Sequence, residues 1–464
     1  MREGIKPFLG RIRLMNIIIV GCGQVGFTLA SQLGTEGNNV TVIDTSEEKI
    51  KYITNKIDVM GIIGNGASHL VQQDAGIKSC DLLIAVTDSD ELNLLCCVIA
   101  KKESNCKTIA RVRDHAYDGD AAYLKEELGL AMVINPERAT AEEIARVLRF
   151  PSAISIETFS GGRVELLKFK LPEGSPMVGM SVRDVMVKYK CDILFCTAER
   201  GDEAYITKGD FVFEAKDIVS IIASPRRAAG FFKKIGHKST SAKSALIVGA
   251  GEMTHYLCSI CRGSGISIKV IDKDKVACEE LSGEFPEVTV VMGDTAEQET
   301  LIEEGIDKAD AFLALSALDE ENIILSLYAK ERGCEKLVTK IKRIDFDEVI
   351  SHLELDTVIY PKNLTADKIV RYVRSLKSKS SNMETLYNII KGKIEASEFI
   401  IKEGSPVAGK TLSELRFRDN VLIAAILRGK TVIVPRGYDT IEVGDSVIVV
   451  TEAIGLHDFA DILL

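Results

Sequence analysis

Short apolar runs alternate with amphipathic stretches along the first third of the chain. NIIIV (16–20), NVTVID (39–44), DVMGIIG (58–64), DLLIAVT (81–87) and KTIARV (107–112) predict strands, and the segments between them carry helical periodicity. Strands that are apolar on both faces fit a parallel sheet covered by helices on each side. Beyond residue 150 the texture changes. Shorter elements, with strands such as VELLKFKL (164–171) and DIVSIIA (217–223), predict a small α+β domain.

The whole pattern then recurs. The stretch IIIVGCGQVG (17–26) returns as LIVGAGEMT (246–254), and DLLIAVTDSDELN (81–93) returns as DAFLALSALDEEN (310–322). EGSPMVGMSV (173–182) matches EGSPVAGKTL (403–412), and FEAKDIVSIIA (213–223) matches IEVGDSVIVVT (441–451). The offset stays at about 229 residues from end to end, too long for a solenoid and suited to two copies of a domain pair. The fold class is therefore α/β: two tandem Rossmann-like, doubly wound parallel-sheet domains, each followed by a small α+β domain. Boundaries fall at 15–150, 151–235, 244–375 and 383–464. SPRRAAGFFKKIGHKSTSAKS (224–244) is basic and rich in serine and lysine, so it reads as a linker, with a weaker one at 375–382. Met15 directly precedes the first strand, and the basic, unpatterned stretch before it reads as a loose arm or a misplaced start.

The first glycine turn has a chemical reading. Gly21, Cys22, Gly23, Gln24, Val25 and Gly26 form G-x-G-x-x-G between a strand and a helix. Gly21 permits the tight turn, Gly23 lets a pyrophosphate approach the backbone, and Gly26 lets helix and strand pack closely. The helix N-terminus offers unpaired N–H groups to phosphate. Asp44 ends the second strand, where a carboxylate hydrogen-bonds a ribose diol and repels a 2′-phosphate. This favours NAD (NADH or NAD+), or a simple adenine nucleotide, over NADP. Thr87 and Asp88 close the fourth strand at the ligand-binding edge, and Arg111 shares a strand face with Arg113, placed to meet a phosphate or a neighbouring subunit, or simply to be solvated. Asn65 and Ser68 are weaker ribose candidates. A glycine turn kept for packing alone is the plain alternative.

The second copy is worn. Gly249, Gly251 and Asp272 remain, but Thr254 stands at the third glycine, so its side chain is expected to push the helix off the strand or distort its first turn. Lys340 and Lys342 replace the two arginines, and Ser316 and Ala317 replace Thr87 and Asp88. Lysine keeps the charge and loses the planar fork. This copy reads either as an altered nucleotide site or as a structural partner.

Composition narrows the function. A net charge of −10 and an aromatic content of 6% without tryptophan argue against nucleic-acid binding. No apolar run approaches the ~20 residues that span a bilayer. The eleven cysteines lack disulfide-like spacing and suit a reducing cytoplasm. Cys258 and Cys261 form a lone CxxC inside a predicted helix, and Cys22, Cys96 and Cys97 read as small buried residues, so no metal site is assigned. Among the six histidines, His69 lies nearest the predicted ligand, though a helix-surface position is the commoner outcome. No catalytic constellation emerges, so no catalytic residue is assigned and the chain reads as a non-enzyme. An NAD-dependent oxidoreductase with tandem Rossmann domains, or a scaffold with vestigial lobes, are the competing readings.

These motifs together resemble the regulatory TrkA-type subunits of bacterial and archaeal Trk potassium-uptake systems, over residues 15–464. The carrying residues are IIIVGCGQVG, VTVID, GNGASHL, LLIAVTDSDELN, KTIARVR and the paired EGSP motifs. The resemblance implies two RCK N-terminal (KTN) domains, each followed by an RCK C-terminal domain. It also implies a cytoplasmic homo-oligomer, a tetrameric ring, docked beneath a membrane-embedded potassium-translocating subunit. NAD(H), ATP or ADP would bind at Gly21–Val25, Asp44, Thr87–Asp88 and Arg111.

Overall fold

The computed structural model describes residues 14–117, 121–236, 241–343, 347–353, 355–377, 383–390, 393–452, 456 and 458–464. Nearly all of the stretch before Met15, and His237 and His457, lie outside them. Four sheets follow in chain order. The first comprises β1 (Asn16–Val20), β2 (Asn39–Asp44), β3 (Met60–Ile63), β4 (Leu82–Ala85), β5 (Lys107–Arg111) and β6 (Met132–Ile134). Its order is β3-β2-β1-β4-β5-β6, with every neighbouring pair parallel. That is the dinucleotide-binding order, with its strand-order reversal between β1 and β4.

The second sheet contains β7 (Ser155–Phe159), β8 (Val164–Lys170), β9 (Leu194–Arg200), β10 (Glu203–Ile206) and β11 (Ile218–Ala223), in antiparallel order β10-β9-β11-β8-β7. The third repeats the first with β12 (Ser244–Val248), β13 (Ser267–Asp272), β14 (Thr289–Met292), β15 (Ala311–Ala314), β16 (Lys336–Lys340) and β17 (Thr357–Ile359). The fourth repeats the second with β18 (Met383–Ile390), β19 (Ile394–Ile400), β20 (Val421–Arg428), β21 (Thr431–Ile433) and β22 (Ser446–Thr451). The duplication read from the sequence is thus a duplication of topology.

The chain divides into two compact units. One holds residues up to Thr140 together with Tyr360–Lys377; the other holds Ala141–Ile359 and Ser378–Leu464. In the first unit, the helix Pro361–Lys377 follows the second parallel sheet in sequence but packs on the first. Its Ala366, Ile369, Val370 and Val373 join Val25, Leu29 and Leu33 of the helix Gln24–Thr35 in one buried cluster. Arg374 Nε donates to Glu36 Oε1 at 2.7 Å beside that seam. A boundary drawn at 375 keeps this helix with the second lobe in sequence; its apolar stripe closes the core of the first.

Within the second unit, the two small sheets share a core. Phe159, Val164, Leu166 and Ile222 pack with Ile394, Ala396, Ala425 and Val450. Each sheet carries the same ion pair, a buried aspartate held by a partly exposed arginine. Arg200 grips Asp217 through Nε and Nη2, both at 2.8 Å, and Arg428 grips Asp445 at 2.9 Å twice. Asp217 and Asp445 also accept the backbone N–H of Glu214 and Glu442, so each carboxylate closes the turn before its strand. The basic 224–244 stretch is not all linker. Pro225–Lys234 is a helix with proline in its first turn, and its Ala228, Phe231 and Phe232 are buried against the small domain. Two aromatic residues in a lysine- and arginine-rich segment were the overlooked signal.

Candidate nucleotide site

At the carboxyl edge of the first parallel sheet, β1 runs into the glycine turn. Gly21 has φ +100°, and a Cβ there would meet Thr87 N and Val86 O at 2.9 Å. A Cβ on Gly26 would lie 1.8 Å from the Gly21 carbonyl oxygen, so this glycine serves close packing. A Cβ on Gly23 would meet nothing within 4 Å, and no side chain caps the helix that starts at Gln24. Open space above an uncapped helix N-terminus fits an approaching pyrophosphate. Gly23 and Gln24 are exposed; Gly21, Cys22, Val25 and Gly26 are buried. Burial and the neighbouring Asp44 push the Cys22 thiol up to about 12, which leaves it unreactive.

Asp44 already has structural duties. Its two oxygens accept the backbone N–H of Cys22 at 2.7 Å and of Ser46 at 2.9 Å. It therefore clamps the end of β2 to the glycine turn. Each carboxylate oxygen has a second acceptor position, so ribose hydroxyls fit the remaining capacity.

Arg111 is buried and reaches back to the loop after β4. Its Nη2 donates to the Thr87 carbonyl and, at 3.1 Å, to Asp88 Oδ1. Its Nε is buried without a hydrogen-bond partner among the described residues. Burial, then the nearby Arg113 charge, pushes the Arg111 pKa below its ordinary value, against the pull of Asp88 and Glu137. An anion near Nε would relieve both penalties. Arg113 donates to the Asp88 carbonyl at 2.6 Å, so both arginines bind this loop rather than standing free at the sheet edge. Asp88 is exposed. Burial raises its pKa, and the Arg111 hydrogen bond and charge more than offset this, leaving the carboxyl below its usual value.

Two residues that organise the loop were not picked out from the sequence. The Asn93 side chain accepts from Thr87 N and Oγ1, both at 2.7 Å, and donates to the carbonyls of Thr87 and Arg111. Asp90 accepts the N–H of Arg113 and Asp114. Asn322 and Asp319 repeat this: Asn322 bonds Ser316 N, Ser316 O and Lys340 O, and Asp319 takes the N–H of Lys342 and Arg343. Recurrence of Asp-x-x-Asn in the matched DSDELN and LDEEN stretches was the available signal. Asn65 and Ser68 share a turn, with Asn65 Oδ1 accepting from Ala67 N and Asn65 O accepting from Ser68 N at 2.8 Å. His69 lies exposed on its helix, 3.3 Å from Glu103. Cys258 and Cys261 are buried in the helix Glu252–Cys261.

The second lobe keeps the turn. Gly249 has φ +107°, and a Cβ on Gly251 would meet nothing within 4 Å. Thr254 is buried and donates its hydroxyl to the Gly249 carbonyl at 2.5 Å, while its N–H bonds Gly251 O at 2.9 Å, three residues back. The helix thus opens with a tightened turn. Asp272 accepts Ala250 N at 2.7 Å and Asp274 N at 2.9 Å. This repeats the clamp that Asp44 makes on the first glycine turn. Lys340 Nζ donates to the Leu315 carbonyl at 2.5 Å.

Among the described residues, no helix is long and apolar enough to cross a membrane. The TrkA-N domain matches residues 17–136 and 245–361, and the TrkA-C domain matches 166–236 and 396–464. The chain is 31% identical to a Trk system potassium uptake protein TrkA homolog of Archaeoglobus fulgidus, covering 94% of this chain and 97% of that one. It is 30% identical to the Trk system potassium uptake protein TrkA of Haemophilus influenzae, covering 94% and 95%. The fold is similar to the GsuK RCK domain, with TM-score 0.62, 16% identity and coverage of 97% and 95%. It is also similar to the GsuK channel bound to NAD, with TM-score 0.63, 16% identity and coverage of 96% and 78%. With each of its two domain types matched twice and relatives of this identity spanning nearly its whole length, the chain belongs to the TrkA family.

Proposed function

We propose that this chain is a regulatory subunit of a Trk-type potassium-uptake system, binding a nucleotide in its first α/β lobe and acting on a membrane-embedded potassium-translocating partner. The observation that carries the reading is the convergence, at one sheet edge, of an open glycine turn, the Asp44 carboxylate and a buried arginine with an unpartnered N–H. NAD(H) is the leading ligand. Asp44 suits a free ribose diol, Gly23 and the helix N-terminus suit a pyrophosphate, and Arg111 suits its charge. ATP and ADP share the diol and the phosphates. The Asp-clamped turn of the second lobe, with Gly249, Gly251 and Asp272, is a weaker site because Thr254 alters its first helical turn.

Regulation needs binding without turnover. A ligand shifts a conformational equilibrium only through different affinities for the two states, with couplings typically of ~1–3 kcal/mol. The chain acts at the cytoplasmic face of the membrane as a homo-oligomeric ring, the arrangement its family membership suggests. Calorimetric titration with NADH, NAD+, ATP and ADP, paired with native mass spectrometry, tests the reading. One nucleotide per chain without turnover supports a single sensing lobe; two per chain make both lobes sensors. Failure of all four nucleotides to bind overturns the proposal and leaves a scaffold.

A further inference from the structure

We propose that Cys80 and Cys106 are a reversible thiol–disulfide modification site in the first α/β lobe. Cys80 lies two residues before β4 and Cys106 immediately before β5. These strands pair in parallel with Leu82 opposite Lys107, and Lys107 N bonds the Asp81 carbonyl at 2.9 Å. The two cysteines thus enter neighbouring strands at the same end of the sheet, the end opposite the nucleotide edge. Continuing that register sets Cys106 opposite Asp81, one residue from Cys80, on strands ~4.8 Å apart, so the pair is offset by a single residue where a disulfide spans ~4.4–6.8 Å between Cα atoms. Both side chains belong to one buried cluster, and each thiol is the largest influence on the other's ionisation. Cys80 Sγ also lies 3.1 Å from the Leu82 carbonyl and 3.5 Å from that of Asn16.

The environment divides the pair. The hydrogen bond from Cys80, opposed by burial and helped by the Ser104 hydroxyl and the Lys101 ammonium, holds the Cys106 thiol down to about 7. The same hydrogen bond and burial push Cys80 well above the usual thiol range. The interaction thus lowers the Cys106 thiol and raises that of Cys80, the division that favours attack by a single sulfur. The other cysteines of this cluster differ: burial pushes Cys96 up to about 12 and Cys97 higher still.

The repeat supplies an internal comparison. At the matched positions of the second lobe stand Ala309 and Glu335, so the pair belongs to the three-glycine lobe alone. The loop that a bridge closes contains the helix Asp90–Glu103, whose Asp90 and Asn93 hold the loop bearing Thr87 and the end of the strand bearing Arg111. Oxidation would tie the bases of the two strands whose far ends carry the candidate site.

With a hydroperoxide as oxidant the atoms balance. The Cys106 thiolate attacks one peroxide oxygen, the O–O bond breaks, Cys106 becomes a sulfenic acid, and the departing hydroxide takes the proton that the Cys106 thiol released and leaves as water. The Cys80 sulfur then attacks the sulfenic sulfur, the S–O bond breaks, and the departing hydroxide takes the Cys80 proton as water. Two thiols and one hydrogen peroxide give one disulfide and two waters. A dithiol reductant restores both thiols.

The test treats the folded full-length chain with hydrogen peroxide, blocks remaining thiols by alkylation, and maps the cysteines by peptide mass spectrometry. The expected product joins the Cys80 and Cys106 peptides with the loss of two hydrogens and separates on adding dithiothreitol. Cys80→Ser should abolish the bridge and let Cys106 accumulate as a sulfenic acid trapped by dimedone. The wild-type map decides independently of how the variant folds. A bridge from Cys97 to Cys106, oxidation of Cys106 with Cys80 left as a thiol, or resistance of both until the protein is unfolded would overturn the assignment.

Discussion

Thr254 donates its hydroxyl to the carbonyl of Gly249 at 2.5 Å, in the place where a Cβ on Gly26 would stand 1.8 Å from the carbonyl of Gly21. The same backbone oxygen is a steric wall in one lobe and a hydrogen-bond acceptor in the other. The second lobe has therefore adapted to its lost glycine by giving the added side chain a bond and tightening the first helical turn.

Exchanging the two residues should have opposite meanings. Gly26→Thr forces the helix Gln24–Thr35 away from the turn, costing about 1–3 kcal/mol of stability as overpacking does, and abolishing nucleotide binding in that lobe. Thr254→Gly removes one buried hydrogen bond and a helical side chain, costing about 1–2 kcal/mol. Urea melts and calorimetric titration of the two variants check both. Undiminished binding by Gly26→Thr would move the sensing site elsewhere.

Asp44→Ala should weaken NADH binding by roughly tenfold or more, because it removes both the ribose acceptor and the clamp on Cys22 N. Asp272→Ala should lower stability through the matching clamp on Ala250 N and leave the tighter nucleotide site unchanged. Dissociation constants measured beside melting curves separate the two effects. Equal losses of affinity would mean that both lobes bind.

Lys336 is fully buried at the start of β16, donating to Ala153 O at 2.6 Å, Thr357 Oγ1 at 2.8 Å and Asp356 Oδ2 at 2.9 Å. Burial pushes its pKa below the ordinary lysine value, against the pull of Asp356. Between the folded and the ordinary value the unfolded chain binds more protons, so stability should rise with pH through that window. Lys336→Met should flatten this rise. Denaturant midpoints from neutral to alkaline pH measure the slope; an unchanged slope would assign it to other groups.

Asp217→Ala should destabilise the first small domain by about 2 kcal/mol, leaving Arg200 without its bidentate partner and Glu214 N without an acceptor. Asp445→Ala should behave alike in the second, through Arg428 and Glu442 N. Hydrogen exchange localises each loss, and spreading of the effect through the core shared by the two sheets would show that they unfold together.

Chain-local physics made much of this molecule legible. The glycine spacing at 21, 23 and 26, the carboxylate ending β2 and the apolar runs of each strand are set by neighbours a few residues away. The recurrence at about 229 residues carried the rest of the architecture, since matched sequences meet the same local constraints twice. Local signals failed where a segment is stabilised by something distant. Pro225–Lys234 looked like a linker because its composition is basic, and only Phe231 and Phe232 entering the small-domain core make it a helix.

Three decisions belong to the tertiary structure alone. The helix Pro361–Lys377 lends its apolar stripe to the first lobe rather than to the sheet it follows, because an amphipathic face specifies that it must be covered and not by what. Asp44 and Asp272 proved to be clamps on the glycine turn as well as candidate ligand acceptors, a role visible only once strand and turn are adjacent. The neighbouring bases of β4 and β5 bring Cys80 against Cys106 across an intervening helix. Sequence determines which surfaces are apolar and which groups must be hydrogen-bonded; contacts between residues far apart in the chain decide which partner meets each demand.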